Sequence, residues 1–284
     1  MQKQNGDSLT MKKVSEICTL CGSTNRSLLY TKDEWKVYKC EGCGLGILDP
    51  HPDKDELDKL YAETYFQSHY DDVLSLSSEE MKKRLKQENH RLRFFRKFKK
   101  RGKILDIGCG RGYFLLACRQ AGYEVEGIDI SSAAVDYVSS ELRIPVHLGE
   151  VDQIELSTES FDIITLWHSL EHTADPNGYI QKAHKWLKKD GILVIDVPDY
   201  SGDDAKYTWS DWQGWSIPYH FFHFTKDSLS NLLRKHGFTV IRQKDYLSEY
   251  IKQKLQDALL PSFIARIIAK CYSGHSIAVV AKKN

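Results

Sequence analysis

The hydrophobic pattern changes character twice along the chain. Between residues 14 and 50, short strand-like patches, SLLYT and WKVYK, lie between two Cys-x-x-Cys turns, each followed by a glycine, which predicts a small β-rich module. Residues 51–80 begin with a helical DELDKLYAETYF and then turn polar and serine-rich, the mark of a connector holding one short helix. Apolar positions at helical spacing return over 78–100, with Ser77 or Ser78 as N-cap and Gly102 beyond the end. Beyond this helix KILDIG, EVEGIDI, PVHLG, FDIITLW and GILVIDV read as strands, and YFLLACRQA, SAAVDYVSSEL and GYIQKAHKWLKK as the helices between them. The helix KDSLSNLLRKHG, the strand FTVIRQKDY, a helical stretch and a terminal strand SIAVVAKK complete the chain. Such alternation predicts an α/β fold with a doubly wound sheet of seven strands, the last two able to form an antiparallel hairpin.

The resulting organisation is a polar tail at 1–13, the β-rich module at 14–50, the connector at 51–80 and an α/β domain at 81–284. Composition narrows the class: 284 residues with 41% hydrophobic and 28% charged side chains describe a soluble globular protein. The first residues hold no apolar core of a signal peptide, and no run of 18 apolar residues occurs, so a cytosolic protein without membrane partners is expected. There, seven cysteines, an odd number, point to a metal and to buried thiols more than to disulfides. The net charge of +1 conceals a segregation, because residues 82–103 carry 12 Lys or Arg against the single acid Glu88. That helix could attract a nucleotide diphosphate, an anionic glycan or RNA; equally, Leu85, Leu92, Phe95 and Phe98 could pack one face on the core and leave the charges as a solvated surface.

Two motifs carry chemistry by their spacing. Cys18-x2-Cys21 and Cys40-x2-Cys43, 18 residues apart, suit a tetrahedral zinc ion; four thiolates close its coordination shell, which makes the Zn2+ structural. Cys109, Cys118 and Cys271 remain as buried thiols. The second motif is Asp106-Ile107-Gly108-Cys109-Gly110-Arg111-Gly112 at the end of a strand, where a doubly wound sheet places its ligand. Its glycines let the backbone approach a cofactor, Tyr113 stands where a dinucleotide loop wants a third glycine, and a carboxylate at Asp106 would repel a pyrophosphate. Asp129, 21 residues after Gly108, ends the next strand and can accept from both hydroxyls of a ribose.

LDIGCGRGYF, VEGIDIS, FDIITLWHSLEHTADP and LKKDGILVIDVPD, in that order, resemble the class I S-adenosylmethionine-dependent methyltransferases over residues 80–284. The resemblance implies S-adenosyl-L-methionine as cofactor, held by Asp106, Gly108, Cys109, Gly110, Gly112, Asp129 and Ile130. It places Glu150 and Val151 by the adenine, Leu166 and Trp167 by the sulfonium, and Tyr61 and Tyr65 in a lid. The cysteine segment, followed by LDKLYAETYF, is similar to the zinc ribbon preceding the core of methyltransferases of sugar and polysaccharide biosynthesis. A small, sugar-containing acceptor is the partner this implies, and the basic helix at 82–103 would suit an anionic one. The chain lacks room for the extra C-terminal domain of the deoxysugar C-methyltransferases, which favours O-methylation.

Histidine has the unperturbed pKa nearest neutrality, and two clusters follow strands of the expected sheet, His168-Ser169-Leu170-Glu171-His172 and His220-Phe221-Phe222-His223. By resemblance His220 is the first choice of base and His172, with Glu171, its partner; His168 and His223 are further candidates to line the acceptor, as is Tyr219 among the aromatics just before His220. The opposite reading has Glu171 and His172 capping the helix near Pro176 and His223 in an aromatic cluster. Motif comparison adds a divalent ion on His168, Glu171, His172 and His220, as small-RNA 2′-O-methyltransferases hold with two Glu and two His, although the first Glu is here His168. Trp209, Trp212 and Trp215, with Tyr207, lie in a loop over 200–225 that either stacks a sugar ring or covers the sheet edge. An rRNA or tRNA methyltransferase using the zinc ribbon and basic helix as platform, and a non-catalytic cofactor-binding protein, are the rival functions.

Overall fold

A computed structural model describes residues 16–52, 56 and 78–284; the expected tail and the lid with Tyr61 and Tyr65 lie outside them. Strands β1 (Arg26–Lys32), β2 (Trp35–Cys40) and β3 (Gly46–Leu48) form an antiparallel sheet at the N-terminus. Helix α1 (Glu79–Phe95) starts at Ser78, whose side chain accepts from the Met81 amide. It buries Met81, Leu92, Phe94 and Phe95, and it stops five residues before the expected end, where Phe98 N–H turns back to the Phe95 carbonyl.

The second sheet is built from β4 (Lys103–Ile107), β5 (Glu124–Asp129), β6 (Val146–Leu148), β7 (Phe161–Trp167), β8 (Leu187–Pro198), β10 (Phe238–Leu247) and β11 (Ser273–Lys283). Its order is β10-β11-β8-β7-β4-β5-β6; the five strands from β4 to β8 run parallel and the last two antiparallel. This is the expected seven-stranded Rossmann-like sheet. Helices α2 (Tyr113–Gln120), α3 (Ser132–Ser140), α4 (Pro176–Trp186), α5 (Asp203–Thr208) and α6 (Lys226–Lys235) connect the strands, and α7 (Glu249–Asp257) and α8 (Ser262–Ala269) fill the hairpin between β10 and β11. Parallel strands are covered on both faces, which is why their sequences are almost continuously apolar. One core holds Phe95, Phe114, Ile104 and Val194; the other holds Trp186, Leu193, Phe224 and Phe238.

The chain moves outward from β4 through β5 to β6, then returns to lay β7 on the other side of β4. Ligands of such sheets bind outside the carboxyl ends of the strands at this reversal. The glycine loop follows β4 and His168 follows β7, so the topology brings both sequence clusters to one crevice.

The N-terminal sheet is not a separate body. A two-residue strand, β9 (Phe222–His223), pairs with β3 in the register Gly46 to His223 and Ile47 to Phe222. Leu48 N–H also donates to the Phe221 carbonyl at 2.9 Å. Leu20, Val37, Leu45 and Leu48 join the core that contains Trp215 and Phe222, while Tyr30 stacks on Trp215 with centroids 4.3 Å apart. Glycine is required at Gly46, because a Cβ there would stand 2.9 Å from His223 Cβ and 3.3 Å from its carbonyl oxygen. Replacing Gly46 by Val overpacks this pairing and is expected to cost ~1–3 kcal/mol in urea denaturation; an unchanged midpoint would show that the two sheets are not held by it.

Candidate functional site

The glycine loop is shaped by backbone geometry. Gly108, Gly110 and Gly112 have φ of 77°, 51° and 68°, values that side chains with a Cβ rarely adopt. Gly108 and Cys109 N–H both donate to the Ile128 carbonyl, and a Cβ on Gly108 would lie 2.7 Å from Ser169 Cβ. The β4 and β7 loops therefore approach as closely as the missing side chain allows. Cys109 is buried, its sulfur packed where Gly127 leaves space.

Asp129 is buried at the end of β5, where Oδ2 accepts from Gly110 N–H at 2.7 Å and Oδ1 from Ser131 N–H at 2.9 Å. Burial raises its pKa, against those amide donors. The carboxylate ties the glycine loop to the end of β5. Asp106 is enclosed more completely than the sequence implied: Oδ1 accepts from Thr165 Oγ1 at 2.6 Å, and burial pushes its pKa up to about 8. A cationic group beside it would recover the charge that burial disfavours.

The other positions that the sequence resemblance assigns to the cofactor divide between surface and core. Ile130 is 45% exposed next to Asp129. Glu150 is exposed and accepts from Tyr179 Oη at 2.6 Å, a partner without any signal in the linear sequence. Val151 and Leu166 are buried as side chains, and Trp167 packs edge-on against Phe114 with Arg91 5.2 Å above its ring.

The histidines after β7 and before β9 come together. His172 and His220 rings meet edge to face with centroids 4.6 Å apart, and Phe221 N–H donates to the Glu171 carbonyl at 2.8 Å. His172 Nδ1 contacts the Tyr219 carbonyl, and His220 Nδ1 the Gly214 carbonyl, each at 2.9 Å. A carbonyl only accepts, so both rings carry their proton on Nδ1 and leave the Nε2 lone pair free. Glu171 is fully buried beside them, one ligand atom of each of the three residues lying within 4.8 Å of the others. Burial would raise its pKa, but His168, His172 and His220 outweigh this and hold it at about 2. Burial lowers the pKa of His172 and, more strongly, of His220.

His168 sits in the left-handed region, φ 53°, with Nδ1 3.4 Å from Glu171 Oε1 and Nε2 3.8 Å from Asp196 Oδ1. Asp196 in turn accepts from Tyr246 Oη at 2.7 Å. Asp196 and Tyr246 escaped the sequence reading because β8 and β10 bring them in from distant segments; the polar residue within the apolar run LVIDV was the available sign.

Three readings of the sequence are corrected. Trp212 and Trp215 do not form an exposed lip: they are 4% and 2% exposed, and Trp215 is held between Tyr30, Tyr200 and His223. The loop brought them against the N-terminal sheet, whose aromatic face a linear reading could not see. Only Trp209 and Tyr207 keep 40% and 53% of their surface. His223 lies in the aromatic cluster, Nε2 on the Trp215 carbonyl at 3.1 Å, and burial lowers its pKa to about 4. Its ring is spent on packing and bonding within the loop, the second of the two readings of the sequence. Glu171 and His172 do not cap α4, whose N-cap is Asp175.

The four cysteines converge. Cys18 and Cys43 sulfurs are 3.6 Å apart, Cys21 and Cys40 sulfurs 3.5 Å, and all four lie within 4.8 Å of one another. Both turns repeat one pattern, Gly22 N–H to the Cys18 carbonyl and Gly44 N–H to the Cys40 carbonyl, each 2.8 Å, with both glycines at positive φ. Cys109 and Cys118 are buried as expected, whereas Cys271 is exposed, at the turn into β11. Among the described residues no helix is long and apolar enough to cross a membrane.

A family profile described as a methyltransferase domain matches residues 78–243. A ubiquinone biosynthesis O-methyltransferase of Haemophilus ducreyi is 34% identical over 105 residues, 34% of this chain and 44% of that protein. One from Bartonella quintana is 30% identical over 158 residues, 49% of this chain and 61% of the other. The chain thus spans about half the length of the curated relatives it matches. A solved S-adenosylmethionine-dependent methyltransferase of Archaeoglobus fulgidus has a TM-score of 0.55 at 22% identity, covering 70% of this chain and 94% of that one. The glycine loop, the strand order and this match over more than half the residues lead to one conclusion: the chain belongs to the methyltransferase-domain family, with the class I S-adenosylmethionine-dependent fold.

Proposed function

We propose that this protein moves a methyl group from S-adenosylmethionine to a hydroxyl of a small acceptor. One observation supports the reading above others: the left-handed glycine loop with Asp129 and the loop that carries the Glu171, His172 and His220 cluster both lie at the β4–β7 reversal, where Ser169 Oγ donates to the Ile107 carbonyl at 2.8 Å. The bound cofactor supplies an electrophilic methyl on sulfur. Transfer of that methyl to an oxygen would require the acceptor hydroxyl to give up its proton. In this reading the acceptor is activated at the histidine cluster, where His220 Nε2 has a free lone pair to receive the proton and His172 stands beside it. Both rings are fixed by backbone carbonyls, so little reorganisation accompanies the step.

Attack by oxygen, not carbon, agrees with the O-methyltransferase names of the relatives. A sugar-containing acceptor draws on the exposed faces of Trp209 and Tyr207, and an anionic one on the exposed basic side of α1. The four thiols suit a structural Zn2+: at zinc–sulfur bonds of ~2.3 Å a tetrahedron has edges of about 3.8 Å, close to the sulfur spacings here.

Three measurements test this. Asp129→Ala should weaken S-adenosylmethionine binding by calorimetry ~10–100-fold, the worth of a charge-assisted hydrogen bond; equal affinity would remove Asp129 from the cofactor site. His220→Ala should slow S-adenosylhomocysteine release over a panel of hydroxylated acceptors by ~10²–10⁴-fold with cofactor affinity kept, and an unaltered rate would exclude the cluster from activation. Elemental analysis of the full chain should find zinc that Cys40→Ser loses, together with a lowered Tm; a Cys40→Ser protein with wild-type metal and Tm would dismiss the structural ion.

A further inference from the structure

We propose that the outer face of the hairpin formed by α7 and α8 docks on the surface of an anionic lipid bilayer. Single apolar side chains on a protein surface are ordinary, but a cluster of large ones marks a contact. Among the described residues eleven large apolar side chains are exposed, and four of them, Leu259, Phe263, Ile267 and Ile268, fall within ten positions. Leu259 is 92% exposed, Phe263 68% and Ile267 61%. Phe263 and Ile267, four residues apart, share one side of α8, and Leu259 stands in the turn before it.

Helix α8 is inverted with respect to an ordinary surface helix. Its small residues, Ala265 and Ala269, are the buried ones, while Phe263 and Ile267 face outward where polar groups belong. The turn into it is built the same way. Leu259 N–H donates to the Gln256 carbonyl and Leu260 N–H to the Leu255 carbonyl, at 2.9 and 3.0 Å, the pattern that ends a helix through one left-handed residue. That residue is Leu259, φ 64°, at a position where glycine is favoured and a side chain is strained. The chain thus holds a large apolar group in solvent at a cost to its own folding.

Cations accompany these anchors. Arg266 and Lys270 are exposed, three residues after Phe263 and Ile267 respectively, so they lie on the same side of α8. No Asp or Glu occurs over residues 258–272, although acids outnumber bases in the chain outside 82–103. The acids of α7 are Glu249, paired with Lys252 at 2.6 Å, and Asp257, which accepts from Gln253 at 2.8 Å. A second copy of this face would bring like charges together across a two-fold axis. Anionic headgroups above acyl chains meet both the cations and the apolar anchors. With eight residues, ~12 Å of helix, α8 cannot span a bilayer but can lie in its interface, which needs none of the long apolar runs that the sequence lacks. Ser276 of β11 pairs with Pro198 at the end of β8, so the hairpin stands at the carboxyl edge of the parallel strands, the edge that carries the glycine loop. Docking would turn that edge toward lipid. None of the residues assigned above to cofactor or acceptor takes part, and the proposal stands apart from the methyl-transfer reading.

The test mixes the full chain with vesicles of phosphatidylcholine, alone or containing phosphatidylserine, and reads the bound share by flotation. The expected result is binding to the phosphatidylserine vesicles that weakens as salt rises, and far less on phosphatidylcholine alone. Phe263→Ser combined with Ile267→Ser leaves the net charge unchanged and should lower the partition coefficient ~10-fold or more. Arg266→Gln combined with Lys270→Gln should lower it ~10–30-fold, about fivefold for each cation near the surface. All four side chains are exposed, so Tm and S-adenosylmethionine affinity should match the parent's; if one pair of substitutions lowers Tm, the other decides. No binding to either vesicle overturns the proposal, as does unchanged binding by the folded Phe263 and Ile267 variant, which would assign the lipid contact to the basic side of α1. A parent that is dimeric in sedimentation, and whose Phe263 and Ile267 variant is monomeric with vesicle binding unaltered, would give this face to a second copy and overturn it too.

Discussion

The pairing of β3 with β9 organises this molecule. Only two residues long, it hydrogen bonds the cysteine-bearing sheet to the loop that carries the histidines, and Gly46 keeps the strands close enough for it. The loop has little regular structure of its own between α5 and β9. What orders it is the stack of Trp215 on Tyr30, the hydrogen bond from Tyr200 Oη to the Gly44 carbonyl, and Leu48 N–H on Phe221. The carbonyls of Gly214 and Tyr219, which set the histidine tautomers, belong to this ordered stretch. The cysteine-bearing sheet thereby holds the histidine rings in place without touching them.

The charge segregation of the sequence has a similar structural resolution. Glu88, the lone acid of the basic run, is buried on α1 and pairs with Arg84 and Arg91, at 3.2 and 3.0 Å. Arg91 is thus turned inward over Trp167, near the crevice, while Lys82, Lys83, Lys86 and Arg93 remain on the outer face. A solvated surface and an inward-directed cation coexist on one helix.

Most of the α/β domain was legible in the sequence, because continuous apolar runs bounded by glycines and caps encode strands and helices locally. The seven strands, the Ser78 cap and the convergence of Cys18, Cys21, Cys40 and Cys43 follow that logic. What escaped was long-range. No local signal tells that Phe222 and His223 leave the domain to join the other sheet, so Trp212 and Trp215 looked like surface aromatics. Asp196, Tyr246 and Tyr179 reach the crevice region through register and packing, which a linear pattern does not contain. The histidine cluster was visible as two groups, but the orphaned Glu171 carboxylate exists only in three dimensions.

The strand β9 also bears on how copies of this protein behave toward each other. A three-stranded sheet has two open edges, and each is a template on which another chain can add a strand. Here the β3 edge is occupied from within by β9, and the β1 edge ends in Lys32 beside an irregular register at Leu28 and Tyr30. The loop that orders the histidines therefore doubles as a guard against self-association, and an alteration that loosened it would present itself first as loss of solubility.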